Sequence, residues 1–129
     1  IKIFIKMENL ILNGTINTPE IILDINMKNL SISGNILPEN PLDFFNILDN
    51  YIDIYIQNNQ NNDLTIIFDI TYMNSSSSKR LYQFIKKCIE IFKNLNIKWI
   101  YEINDDDGKE YGLNFESALG FKFDFQIKQ

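Results

Sequence analysis

The stretch that most constrains the fold is Leu64 to Tyr72, Leu-Thr-Ile-Ile-Phe-Asp-Ile-Thr-Tyr. It is almost unbroken in β-branched and aromatic side chains, which pack well on a pleated surface, and it predicts a central strand covered on both faces. Its neighbours supply helices. Before it, Leu42, Phe45, Leu48, Ile52 and Tyr55 or Ile56 recur every three to four residues, giving one apolar helical face. Pro38-Glu39-Asn40-Pro41 opens that helix, because Pro is tolerated in a first turn and an acid there complements the helix dipole. The polar run Asn58 to Asp63 ends it. After the strand, Leu81, Phe84 or Ile85, Cys88, Phe92 and Leu95 mark a second amphipathic helix.

The remaining segments extend this alternation. Glu20 to Asp24 is rich in Ile, and Asn29 to Gly34 alternates polar and apolar residues; Asn26-Met27-Lys28-Asn29 suits a hairpin between them. Asn96 to Ile103 places Ile97, Trp99, Tyr101 and Ile103 in strict alternation, a further strand. Glu110 to Leu119 reads as a short helix with Gly120 just past its end, and Phe121, Phe123, Phe125 and Ile127 read as a closing strand. The order β-β-α-β-α-β-α-β predicts an α/β fold, with one mixed β-sheet of about four to five strands and helices packed on it. Trp99 and the terminal Phe residues are expected in its core. Met7-Glu8-Asn9 reads as a start, so a single domain is expected over residues 7–129, with residues 1–6 upstream of it.

Charge and residue inventory exclude several functions. The chain has a net charge of −5 and no run of basic residues, which argues against nucleic acid or an anionic membrane as partner. With no His and a single cysteine, Cys88, the usual zinc ligand sets, His-based triads and intrachain disulfides are out of reach. Cys88 sits in an apolar helical pattern and is expected to be buried and inert. The acidic triplet Asp105 to Asp107 precedes Gly108, but placing that Gly at position 6 of a calcium loop puts Ile103 at position 1, so the metal pattern fails. No glycine-rich phosphate loop, nucleophile elbow or paired-carboxylate arrangement is present. The reading is a cytoplasmic, non-enzymatic protein with no cofactor and no metal.

What stands out is Asn74-Ser75-Ser76-Ser77-Ser78-Lys79, at the turn from central strand to second helix. One Ser can cap the helix, because its oxygen accepts an orphan N–H of the first turn. The others are turn formers, or one is a phosphate acceptor. A phosphate at a helix N-terminus meets unpaired N–H groups and the positive end of the dipole, and Lys79 and Arg80 follow at once as charge partners.

Three elements taken together, Thr15 to Ile21, Leu30 to Gly34 leading into Pro38-Glu39-Asn40, and Tyr72-Met73-Asn74-Ser75-Ser76-Ser77-Ser78-Lys79, resemble the bacterial SiaC family of regulatory phosphoproteins. The likeness runs from about Met7 to the C-terminus. It implies a partner-switching phosphoprotein acted on by a Ser/Thr protein kinase and a PP2C-type phosphatase. It also implies an unphosphorylated form that binds and activates a diguanylate cyclase, raising cyclic di-GMP and promoting biofilm. The family's acceptor is a Thr directly after the motif's Asn, which corresponds to Ser75 here, with Ser76 and Ser77 as alternatives and Asn74, Ser78, Lys79 and Arg80 as phosphate- or partner-binding neighbours. The arrangement also looks like STAS domains of anti-sigma factor antagonists, so such an antagonist is the second reading. A small-molecule sensor built on the aromatic residues around Trp99 is the third.

Overall fold

The structure, a computed structural model, describes residues 8–58 and 62–128. Hydrophobic alternation organises it around one sheet. Strands β1 (Leu10–Leu12), β2 (Glu20–Asp24) and β3 (Asn29–Ile36) run antiparallel as a meander. Helix α1 (Pro41–Asn58) then leads to β4 (Asp63–Met73), α2 (Ser75–Ile91) to β5 (Asn94–Tyr101), and α3 (Asp106–Leu119) to β6 (Asp124–Ile127). Strands β3 to β6 are mutually parallel, and the six strands lie in chain order across the sheet. Parallel neighbours require crossovers, and the three helices supply them.

Strand register explains the core. Ile21, Ile32, Phe68, Trp99 and Phe125 stand side by side in one row across the sheet, and Leu23, Leu30, Ile66 and Ile97 in the next. All but Phe125 are buried, and they meet Phe45, Leu48, Ile52 and Tyr55 of α1, Leu81, Phe84, Ile85 and Cys88 of α2, and Phe115 of α3. Intervening positions such as Ser31, Thr65 and Lys98 are half-buried. Burial along β4 therefore alternates, and the strand is covered on one face rather than on both as its composition suggests. Of its outward residues Thr65 and Ile67 are β-branched, but Asp63 and Asp69 lie on the same face, which they share with Ser31, Ser33, Lys98 and Asp124.

The sheet has six strands rather than four to five. The additional one, β1, spans only Leu10–Leu12, too short for a periodic signal, and is tied down by the Ile25 N–H donating to Asn9 Oδ1 at 2.9 Å. The second helix stops at Ile91, with the Phe92 N–H closing on Cys88 O at 3.0 Å, so Leu95 belongs to β5 and not to the helix. Strand β5 ends at Tyr101; Asn104, with φ 73°, turns the chain away and leaves Ile103 68% exposed despite its alternation. Helix α3 begins at Asp106, four residues earlier than Glu110, because Asp105 caps it through the Gly108 N–H at 3.0 Å. Asp106 and Asp107 then sit in its first turn, where the helix dipole favours negative charge.

Candidate functional site

All three helices start from the same edge of the sheet, where β3, β4 and β5 end. At that edge Ile36 of β3 pairs with Met73 of β4, and the Asn74 N–H reaches Ile36 O at 3.4 Å. The approach is irregular. Asn35 pairs with Tyr72 while Gly34 pairs with Ile70, so Thr71 is an extra residue in β4. Such a bulge flips the alternation beyond it. Tyr72, which would otherwise face the core, is 52% exposed, and Met73 is buried in its place. The bulge thereby sets how the chain enters α2.

Asn74 is the N-cap of α2, with extended φ and ψ of −84° and 171°. Its Oδ1 accepts the Ser77 N–H at 2.9 Å, its carbonyl accepts the Ser78 N–H at 2.9 Å, and Ser76 Oγ donates to Oδ1 at 3.3 Å. The cap is thus the Asn and not one of the serines. Capping consumes the Ser77 and Ser78 N–H groups and leaves those of Ser75 and Ser76 as the orphan donors of the first turn.

The four serines occupy different environments. Ser75 and Ser76 are exposed, and Ser78 is half-buried. Ser77 is 0% exposed, and among the described residues its Oγ has no hydrogen-bond partner. Ser77 lies one turn before buried Leu81, on the helix stripe that faces the core, so in the folded chain it is out of a kinase's reach. Of the candidate acceptors only Ser75 and Ser76 are accessible. At four-residue spacing, Ser75 shares a helix face with Lys79 and Ser76 with Arg80.

The first turns of α1 and α2 enclose an open cleft of about 350 Å³ lined by Asn40, Pro41, Leu42, Ser76, Lys79, Arg80 and Gln83. The structure therefore brings Ser76, Lys79 and Arg80 together, keeps Asn74 beneath them as cap, and places neither Ser77 nor Ser78 in the lining. The α1 residues of the cleft come from the Pro-Glu-Asn-Pro helix start, a visible motif whose spatial position no spacing reveals. Leu42, assigned by periodicity to the apolar face, is 47% exposed and forms part of the cleft. Asn40 pairs with Asp43 (Nδ2 to Oδ2, 2.9 Å) and accepts the Phe44 N–H at 3.3 Å. Further along, Lys87 ties α2 to α1 through Asp53 at 2.8 Å and Asp49 at 3.9 Å. Burial first of all raises the Asp49 carboxyl, against the opposing pull of Lys87.

Other candidate centres resolve into packing. Trp99 is fully buried, its Nε1 donates to Gly108 O at 2.8 Å, and Phe68, Phe115 and Phe123 pack around it. A filled core surrounds the indole, which removes the sensor reading at that residue. Cys88 is buried, and burial pushes its thiol far up. Among the described residues no group of three or more Cys, Asp or Glu side chains is placed to hold a metal ion, and no helix is long and apolar enough to cross a membrane.

A family model described as SiaC family regulatory phosphoprotein matches residues 12–128. The crystal structure of apo-SiaC from Pseudomonas aeruginosa superposes with a TM-score of 0.76 at 23% identity, covering 95% of this chain and 100% of that one. A second structure, SiaC of Pseudomonas aeruginosa, gives 0.80 at 23% identity, with 95% and 100% covered. The crystal structure of the diguanylate cyclase SiaD in complex with its activator SiaC, from the same organism, contains a chain matching at 0.79 and 23% identity, with 92% and 99% covered. At that identity the three establish a common fold. Among curated proteins, no sequence matches.

Proposed function

The chain belongs to the SiaC family of regulatory phosphoproteins, and from that premise we propose that it is a non-enzymatic switch: unphosphorylated, it binds and controls a diguanylate cyclase, and phosphate on Ser75 turns that binding off. The observation that carries this reading is the position of Ser75, exposed at the first residue of α2, directly after the capping Asn74 and four residues before Lys79. A phosphate there adds about −1.5 to −2 charges. It meets the orphan N–H groups of Ser75 and Ser76 and the positive end of α2, an interaction worth roughly 0.3–1 kcal/mol at an exposed site. The core beneath is untouched, so the modification rewrites the surface charge at the sheet edge without unfolding the domain.

A Ser/Thr kinase and a PP2C-type phosphatase set the state of the switch in the cytoplasm, and the cyclase reads it. The SiaD–SiaC complex supports the class of effector. Ser76, also exposed, is the alternative acceptor. The test is incubation with the cognate kinase and ATP, followed by peptide mass spectrometry of the native chain and of Ser75→Ala. The proposal expects one phosphate on Ser75 that Ser75→Ala abolishes. Phosphate found on neither Ser75 nor Ser76 refutes it.

A further inference from the structure

The cleft between the first turns of α1 and α2 carries two cations, Lys79 and Arg80, and no carboxylate among its lining residues, in a chain of net charge −5. Elsewhere cations bridge separate elements: Lys28 to Asp63 at 3.3 Å, Lys87 to Asp53 at 2.8 Å and Lys128 to Asp69 at 3.0 Å. Among the described residues no carboxylate lies within ion-pair distance of Lys79 or Arg80, and the side-chain bond Arg80 makes is to the neutral Gln83 at 3.4 Å. Asp49, in the adjoining pocket, acts on Arg80 only at longer range and is the ion-pair partner of Lys87. The nearby Asp43 is engaged by Asn40 and does not line the cleft. Beside these cations stand Pro41 and an exposed Leu42.

A cationic rim beside an exposed leucine complements a segment that presents carboxylates and apolar side chains together, as an acidic amphipathic helix does. We propose that this cleft is the docking site for an acidic amphipathic segment of the effector, its carboxylates on Lys79 and Arg80 and its apolar side chains on Pro41 and Leu42, and that phosphate displaces the segment by neutralising the same two cations. The inference rests on the switch proposed above and supplies its mechanism. The formal charge of the lining is +2, from Lys79 and Arg80, and a phosphate of about −1.5 to −2 brings it close to zero. Ser75 lies one helical turn from Lys79, and Ser76 borders the cleft itself. A tethered phosphate competes at the high effective concentration of an intramolecular ligand. An acidic effector then meets a rim of near-zero net charge in place of two free cations.

The experiment titrates the full, unphosphorylated chain with the purified diguanylate cyclase of the same cell by calorimetry. The variants are Lys79→Glu/Arg80→Glu, the milder Lys79→Gln/Arg80→Gln, and the control pair Lys86→Glu/Lys93→Glu, both exposed and outside the cleft. Melting curves verify that each is folded. Charge reversal is expected to weaken binding about 100-fold and neutralisation about 10-fold, with the control pair within about threefold. Wild-type affinity is expected to fall between about 50 and about 300 mM salt, and that of the neutralised pair to change little. A reversed pair that binds like the wild type overturns the docking site, whatever phosphorylation does. Cleft variants that lose binding while the phosphorylated chain retains it uphold the docking site and refute both displacement and the switch. A wild type that does not bind the cyclase overturns the choice of partner.

Discussion

Replacing Asn74 by Ala removes the acceptor that holds the Ser77 N–H at 2.9 Å and the Ser76 hydroxyl at 3.3 Å. Losing an N-cap costs about 0.5–2 kcal/mol. Ser76 is exposed, so water replaces its bond at little cost. Ser77 is fully buried and already carries an unpartnered hydroxyl, so its N–H is poorly placed for water, and the loss should fall near the upper end, about 1.5–2 kcal/mol. For a chain of 129 residues, unfolding entropy near 60 °C is about 0.27 kcal/mol/K, which converts that loss to a Tm drop of about 6 °C. Asn74→Asp keeps the acceptor and adds a negative charge at the helix N-terminus, worth about 0.3–1 kcal/mol, so it should melt at or above the wild type. Thermal and urea unfolding followed by circular dichroism measure both variants. If Asn74→Ala melts within about 1 °C of the wild type, or if Asp destabilises as much as Ala, the capping account of this turn is wrong.

Three further outcomes follow from the same packing. Ser77→Ala deletes a buried hydroxyl that has no partner and introduces a better helix former, so urea unfolding should show a gain of about 0.5–2 kcal/mol with phosphate incorporation unchanged; a loss of stability would mean that the hydroxyl is bonded. At Gly112 a Cβ would lie 2.6 Å from Trp99 Cγ, and the indole is held by Gly108 O and by Phe68 and Phe123. Overpacking of about 1–3 kcal/mol should therefore exceed the gain of about 1 kcal/mol in helix propensity, and a stabilised Gly112→Ala would contradict it. Asp49, raised above its ordinary value of 3.8 chiefly by burial, binds more protons folded than unfolded, so its contribution to stability falls as pH rises from about that value through the raised one. Asp49→Asn should remove this slope, and a wild type with the same slope as the variant would exclude the effect.

The order of helices and strands was legible because hydrophobic period is local: Leu42 to Tyr55 and Leu81 to Cys88 can hardly be anything but amphipathic helices. Features that depend on long-range pairing were not. The bulge at Thr71 arises from register against β3, and nothing within Ile70-Thr71-Tyr72 announces it. The exposed face of β4 was hidden because Ile67 satisfies strand propensity equally well on either side of a sheet. The Asn74 cap was misassigned because Asn and Ser are near equals as N-caps, and only geometry chose between them. The burial of Ser77 did have a signal: it continues the stripe of Leu81, Ile85 and Cys88 back by one turn. The cleft joins residues 40–42 to residues 76–83, a proximity created by the pairing of Ile36 with Met73.

The central claim is that a phosphate on Ser75 controls effector binding, and calorimetric titration of the diguanylate cyclase with two homogeneous forms of the chain tests it directly. One form is unmodified, and the other is stoichiometrically phosphorylated on Ser75. The unmodified form should bind, and phosphorylation should weaken binding by at least about 30-fold, roughly 2 kcal/mol. Equal affinity of the two forms would contradict the account.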